Sequence, residues 1–156
     1  MYVYITLWLC KGSQKVRPKA KHHKKSLSKI ANSFRDASKS YVPLGLDQGK
    51  SWSEAKDNCN SHGGRLMEVR TQLEFAKAQF LRETLGEDFY LGGSEPTWEG
   101  IWRWQSNGDW IGKDNEYWIE GQPGDNDGVR DCMRMSMSGF SDASCSSTRP
   151  FVCEFD

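Results

Sequence analysis

A chain of 156 residues is long enough for one globular domain with a proper core and too short for two of ordinary size. Its zero net charge averages two unlike parts: residues 1–40 hold ten of the 21 Lys/Arg and one of the 21 Asp/Glu, leaving eleven bases against twenty acids over 41–156. The asymmetry predicts a basic tail, 1–40, joined to an acidic domain, 41–156, and gives no basis for specific nucleic-acid binding.

In chain order, Tyr2 to Cys10 form an apolar run of secretory-signal length. No basic residue precedes it and no Ala-x-Ala-like site follows, so it reads either as a degenerate signal or as an exposed tail. It falls far short of the roughly 20 residues that span a bilayer. Lys11 to Ser40 is basic and aromatic-poor, densest over Lys15 to Lys25. Such a segment buries too little apolar surface to offset its ordering entropy and reads as a solvated tail, with a polyanion-binding arm as the alternative.

The domain opens near Tyr41 with an extended piece closed by a turn at Asp47 to Gly49. Ser51 and Glu54 form a capping-box pattern, and Trp52, Ala55 and Cys59 then share one helical face. Gly63-Gly64 ends that helix, and Leu66 to Val69 reads as a short strand. Thr71 and Glu74 open a second helix with Leu73, Ala76, Phe80 and Thr84 on its expected inward face and Gly86 as its stop. Phe89–Leu91 and Ile101–Trp104 read as strands, followed by a long aperiodic stretch, Gln105 to Gly128, rich in Asn, Asp and Gly; loops of that length in compact domains are usually functional. Asp131–Met135 and Pro150–Glu154 close the chain as strands, each with a cysteine.

Four of the five cysteines, Cys59, Cys132, Cys145 and Cys153, lie in the acidic part, without the close pairing of a zinc site. They predict two disulfides and an oxidising, extracellular compartment, with Cys10 left over. An enzyme is not expected. His22 and His23 sit in the tail and His62 at a helix end, and no Gly-x-Ser-x-Gly or His-Glu-x-x-His pattern occurs.

Trp52-x-x-Ala55-x-x-x-Cys59, Gly63-Gly-x-Leu66, Glu99-Gly-x-Trp102-x-Trp104, Gly121-Gln-Pro123, Asp131-Cys132, Asp142-x-x-Cys145 and Phe151-Val-Cys-Glu154 occur in one order and spacing. Together they resemble the C-type lectin-like domain, over about Tyr41 to Asp156. The resemblance implies a short-form α+β fold of two helices, small antiparallel sheets and a long binding loop. It also implies the disulfides Cys59–Cys153 and Cys132–Cys145. The family's Trp-Ile-Gly-Leu strand is here Tyr90-Leu-Gly-Gly93, which predicts looser packing at Gly93.

In sugar-binding members of that family one calcium sits at a cis-proline loop and bridges to the sugar. By resemblance its ligand positions are Gln122, Gly124, Arg130, Ser141 and Asp142. Calcium wants six to eight oxygens. Gln122 and Asp142 supply them, Ser141 is a weak substitute, Gly124 has no side chain, and Arg130 is itself a cation. This principal site is therefore degraded, unless a shifted loop brings in Asp125, Asn126 or Asp127. Arg130 and Asp142 are expected to pair, the guanidinium replacing the metal. An auxiliary calcium site maps to Glu95, Glu99, Asp125 and Asp131, with Glu95 and Glu99 as solvated turn acids the alternative. Trp52, Trp102 and Trp118 fit scaffold positions, whereas Trp98 and Trp110 lie in turns where they could stack on a sugar.

The resemblance implies a secreted, extracellular recognition module for a glycan or glycoprotein, with a galactose-type preference suggested by Gln122-Pro123. The alternative is calcium-independent recognition of a protein or other surface through the same face.

Overall fold

The computed structural model describes residues 39–96, 100–124 and 128–156. The expectations for residues 1–38, including Cys10 and the basic arm, and for Trp98, Glu99, Asp125, Asn126 and Asp127 lie outside the described residues.

Ten elements follow in order: β1 (Ser40–Leu44), α1 (Trp52–Ser61), β2 (Arg65–Leu66), α2 (Gln72–Leu85), β3 (Phe89–Ser94), β4 (Trp102–Trp104), β5 (Trp110–Ile111), β6 (Cys132–Met135), β7 (Phe140–Ala143) and β8 (Phe151–Phe155). Among them the sheet runs β1-β8-β3-β4-β5, with β2 added on β8 and β6 and then β7 branching from β3. The pairings between these strands are antiparallel except the contact of Tyr90 with Phe151, which joins the β8 and β3 ladders, and an isolated bridge joins Trp118 to Phe140 in parallel.

Both helices start as the sequence dictates. Glu54 accepts from the Ser51 N–H at 3.0 Å and its hydroxyl at 2.6 Å, while Glu74 accepts from the Thr71 N–H at 3.0 Å and its own N–H donates to Thr71 Oγ1 at 3.2 Å. Gly86 stops α2 at φ 76°, the left-handed conformation glycine adopts without strain. On α1 the expected face, Trp52, Ala55 and Cys59, is the buried one.

The inward face of α2 is not the expected one. Glu74, Lys77, Ala78 and Leu81 are buried, whereas Leu73 is 59% and Phe80 44% exposed. The helix packs through Ala78 and Leu81, with Phe75 and Leu85 beside them, and ion pairs border that face. Lys39, at the mouth of β1, holds Glu74 at 2.7 Å and the buried Glu154 of β8 at 3.4 Å, and Lys77 packs its ammonium over the Tyr41 ring. With Ala78 and Leu81 inward, the 73/80 stripe faces away.

Strand alternation divides the interior in two. Phe89 and Leu91 join the larger core with Met67, Ala78, Trp102, Trp118, Met133 and Phe140. Tyr90 points the other way, into a second core with Trp52, Ala55, Cys59, Cys132, Phe151 and Cys153. Both implied disulfides are present, with Cα–Cα distances of 5.4 Å for Cys59–Cys153 and 5.1 Å for Cys132–Cys145. The first ties α1 to β8 and the second ties β6 to the segment after β7. In the ideal chain-entropy case a closed loop of fifteen to a hundred residues contributes roughly 3 to 5 kcal/mol.

The looser packing expected at Gly93 does not occur. A Cβ there would meet Met133 Cε at 2.7 Å and Sδ at 2.8 Å, so the side chain across the β3–β6 ladder fills the volume. Methionine suits such a gap because its unbranched thioether adapts to irregular space.

Candidate functional site

The long loop is anchored by aromatic packing before it reaches its polar tip. Phe140 of β7 receives Tyr117 and Trp118 edge-on at 5.7 Å each and Trp104 at 6.1 Å, while Phe75 of α2 stacks on Tyr117 at 4.4 Å. Edge-to-face pairs at these distances add about 0.5 to 1.5 kcal/mol beyond their area burial. Backbone bonds complete the dock: Phe140 N–H donates to Tyr117 O at 2.6 Å, and Ile119 N–H donates to Phe140 O at 3.0 Å. The loop thus pairs with the outer edge of β7, a strand that the sequence pattern did not reveal.

Gln122 continues that edge with its side chain. The Gln122–Pro123 peptide is cis, as the resemblance implied. Gln122 Oε1 accepts from the Asp142 N–H at 3.1 Å and lies 3.4 Å from the Ser141 hydroxyl. In return Asp142 Oδ2 accepts from the Gly124 N–H at 2.8 Å. Arg130 Nη1 stands 3.8 Å from Asp142 Oδ1, and while the Asp142 side chain is 1% exposed that of Arg130 is 46% exposed. The structure therefore brings together all five residues assigned to the principal site, with their acceptors turned inward and a cation at the mouth.

Arg134 also belongs to this constellation and escaped the sequence reading. It lies opposite Ser141 in the β6–β7 register, its Nη2 is 3.4 Å from Ser141 Oγ, and its Nη1 is 3.4 Å from Asp88 Oδ2. The signal was strand alternation in residues 132–135, which says nothing until β7 is known to lie alongside.

Among the described residues, the principal site does not form a calcium cage in this arrangement. Of the two good oxygen donors, Gln122 Oε1 caps a backbone amide and Asp142 holds Gly124 N–H with one oxygen and faces Arg130 with the other. A divalent ion between them would share those oxygens with the amide donors and lie against a guanidinium. Among the described residues no group of three or more His, Cys, Asp or Glu could hold a metal ion.

Two of the four auxiliary positions come together. Glu95 N–H donates to the Asp131 carbonyl at 2.8 Å, and Glu95 Oε1 accepts from the Ile101 N–H at 2.9 Å. Glu95 is 5% exposed, so it is not a solvated turn acid. Glu99 and Asp125 lie outside the described residues. Of the tryptophans, Trp52, Trp102 and Trp118 are buried in the scaffold. Trp110 sits on β5, not in a turn, and is 64% exposed.

With that geometry in place, the family model described as the lectin C-type domain matches residues 48–155. The chain belongs to the C-type lectin domain family. The matched relatives include salivary C-type lectin 2 of Aedes albopictus, 30% identical over 116 residues that cover 66% of this chain and 76% of that one. C-type lectin domain family 4 member F of Mus musculus is 30% identical over 110 residues, covering 67% of this chain but only 20% of the longer mouse protein. Among solved structures, the carbohydrate-recognition domain of the mouse scavenger receptor C-type lectin superposes with a TM-score of 0.67 at 22% identity, covering 78% of this chain and 91% of that one. At that identity the superposition shows the shared fold. C-type lectin domains are in general binding modules without enzymatic activity. No helix among the described residues is long and apolar enough to cross a membrane.

Proposed function

We propose that this C-type lectin domain is an extracellular recognition module that binds carbohydrate through the face formed by Gln122, Gly124, Arg130, Ser141 and Asp142. The observation that carries the reading is the docking of the cis-proline loop on β7, which keeps the family's sugar-binding positions side by side, with Gln122 Oε1 and Asp142 Oδ2 each accepting a backbone N–H. Gln122-Pro123 favours galactose-type sugars on the family resemblance. The salivary relative supports an extracellular setting. Without a metal bridge, sugar hydroxyls must be met by direct hydrogen bonds from groups such as the Arg130 guanidinium, and affinity is modest.

The second reading, calcium-independent recognition of a protein or other surface, is favoured by one specific observation. The mouth presents a half-exposed guanidinium where a metal-bridged sugar needs oxygens. Chromatography on immobilised galactose and mannose, in calcium and in chelator, separates the two. Retention on galactose in both conditions supports the sugar reading, and loss of retention on every glycan tested favours the second. Chelator-reversible retention would mean that a metal still bridges protein and sugar.

A further inference from the structure

We infer that Arg130 is the permanent cation of this site: its guanidinium takes the electrostatic place of a metal ion at Asp142, so that the loop is held on β7 without calcium. The inference rests on the reading that this face is the ligand site, and it concerns how that face is assembled and regulated.

A carboxylate as buried as Asp142 must be stabilised by hydrogen bonds and opposite charge. The structure supplies both from this chain. Gly124 N–H, from the loop before residues 125–127, donates to Oδ2 at 2.8 Å, and Arg130, from the loop after them, faces Oδ1 at 3.8 Å. Asp142 therefore ties Gly124 and Arg130 to one point on β7. Gln122, by capping the Asp142 amide at 3.1 Å, fixes the same point from the backbone side. A cation in this position joins the segments on either side. Here the joining cation is covalently part of the chain and is independent of calcium concentration.

The groups facing Asp142 are consistent with a monovalent counter-ion and not with a divalent one. Ser141 offers a hydroxyl that lies within reach of the Asp142 carbonyl and of Gln122, and Arg134 adds a second positive charge at Ser141 Oγ from β6. Arg134 is itself paired with Asp88 at 3.4 Å, so the positive charge that opposes a divalent cation at Asp142 is chiefly that of Arg130. A face assembled this way keeps its shape when calcium falls, so ligand release cannot be triggered by calcium loss.

The test uses the full chain and reads the loop directly, with no sugar present, so that a failure of the inference is separable from a failure of the sugar-binding reading. Amide spectra and hydrogen exchange are followed at Gly124 and Asp142 in calcium and in chelator, for wild type, Arg130→Lys and Arg130→Gln. The expected result is no calcium-dependent movement of either amide in wild type. Protection at Gly124 should be lost in Arg130→Gln and retained in part by Arg130→Lys, which keeps a positive charge. Saturable calcium-dependent shifts of the Gly124 and Asp142 amides in wild type would overturn the inference, as would full protection at Gly124 in Arg130→Gln. Should Arg130→Gln fail to fold, wild type and Arg130→Lys still decide. Calcium shifts confined to Glu95 and Asp131 support the inference, because they place any metal away from the pair.

Discussion

The backbone N–H of Asp142 donates to the side-chain carbonyl of Gln122 at 3.1 Å, so a side chain finishes the strand edge that the loop backbone begins. Tyr117 and Ile119 pair with Phe140 through main-chain groups, and two residues further along β7 the glutamine amide takes over. This explains how a loop rich in turn-forming residues keeps Gln122 in register with β7.

Gln122→Met should therefore destabilise the domain as well as alter recognition. Asp142 is 2% exposed, and leaving a buried donor unsatisfied costs about 1 to 3 kcal/mol. Urea denaturation of Gln122→Met and Gln122→Glu makes the comparison. The glutamate keeps an oxygen in the accepting position and should lose less. Equal midpoints for wild type and Gln122→Met would remove this bond from the account.

The position of α2 gives a second expectation. Leu81→Ala should cost about 2 to 5 kcal/mol, as for other buried leucines. Leu73→Ala should stay within about 0.5 kcal/mol because the side chain is 59% exposed. The reverse order in chemical denaturation would restore the 73/76/80 stripe as the buried face.

Those two leucines also show where sequence reading stops. The helix itself, its capping box and its glycine stop follow from local chemistry and are present. The buried face is a second apolar stripe, Phe75, Ala78, Leu81 and Leu85, which competes with Leu73, Ala76 and Phe80 at the same helical period, so periodicity alone does not choose between them. The site shows the same division. Gln122, Arg130 and Asp142 are legible as a family pattern, and the resemblance gave both disulfides. That β7 exists was hidden, because Phe140 to Ala143 is four residues long and buried throughout, and so shows no alternation. Met133 filling the space above Gly93 is a packing solution between two strands and has no local signature.

The pair Lys39 and Glu74 makes stability depend on pH at both ends. Burial alone would raise the Glu74 carboxyl, but the hydrogen bond from Lys39 and the Arg70 amide outweigh it and hold it below the ordinary glutamate value. Its contribution is present above that ordinary value and is lost as pH falls through the lowered one. Burial alone would lower Lys39, but its bond to Glu74 and the charges of Glu154 and Glu74 hold it above the ordinary lysine value. Its contribution is full below the ordinary lysine value and is lost as pH rises through the raised one. Glu154 works the other way at acid pH, since burial pushes its carboxyl up despite Arg65 and Lys39, and the fold gains from its protonation. Denaturation midpoints of Glu74→Gln across the acid range should fall less steeply than those of wild type. An unchanged acid limb would show that Glu74 contributes nothing to it.

Gly93 and Met133 should be energetically coupled. Gly93→Ala forces the Met133 side chain to move from contacts of 2.7 and 2.8 Å, and overpacking of this kind costs about 1 to 3 kcal/mol. Met133→Ala alone should also destabilise, by leaving a cavity. The double variant should recover part of the loss, and a double-mutant cycle reads the coupling. Strictly additive losses would mean that Met133 does not occupy the space that glycine leaves.

The calcium chemistry should be restorable by two substitutions. Arg130→Glu replaces the cation with a carboxylate, and Gly124→Asp adds another beside Gln122, so that with Asp142 and Ser141 the loop regains an oxygen-rich set. Gly124 has an ordinary backbone conformation, since it is not among the glycines at positive φ, and an aspartate is compatible with it. Its Cβ would come 3.0 Å from the Gly121 carbonyl, so the turn must yield by a few tenths of an ångström. In chelator the double variant should melt below wild type, because three carboxylates then crowd one point with no positive charge between them. Calcium should reverse this by mass action, contributing about 2.7 kcal/mol at a hundredfold excess over the dissociation constant. Retention on galactose should become calcium-dependent in the same variant. Arg130→Glu alone is the control: it creates the repulsion without the added ligand and should recover less in calcium. If the double variant folds in chelator and its melting curve ignores calcium, the five positions no longer have the geometry of a metal site, and the degradation of the site extends beyond the two residues exchanged.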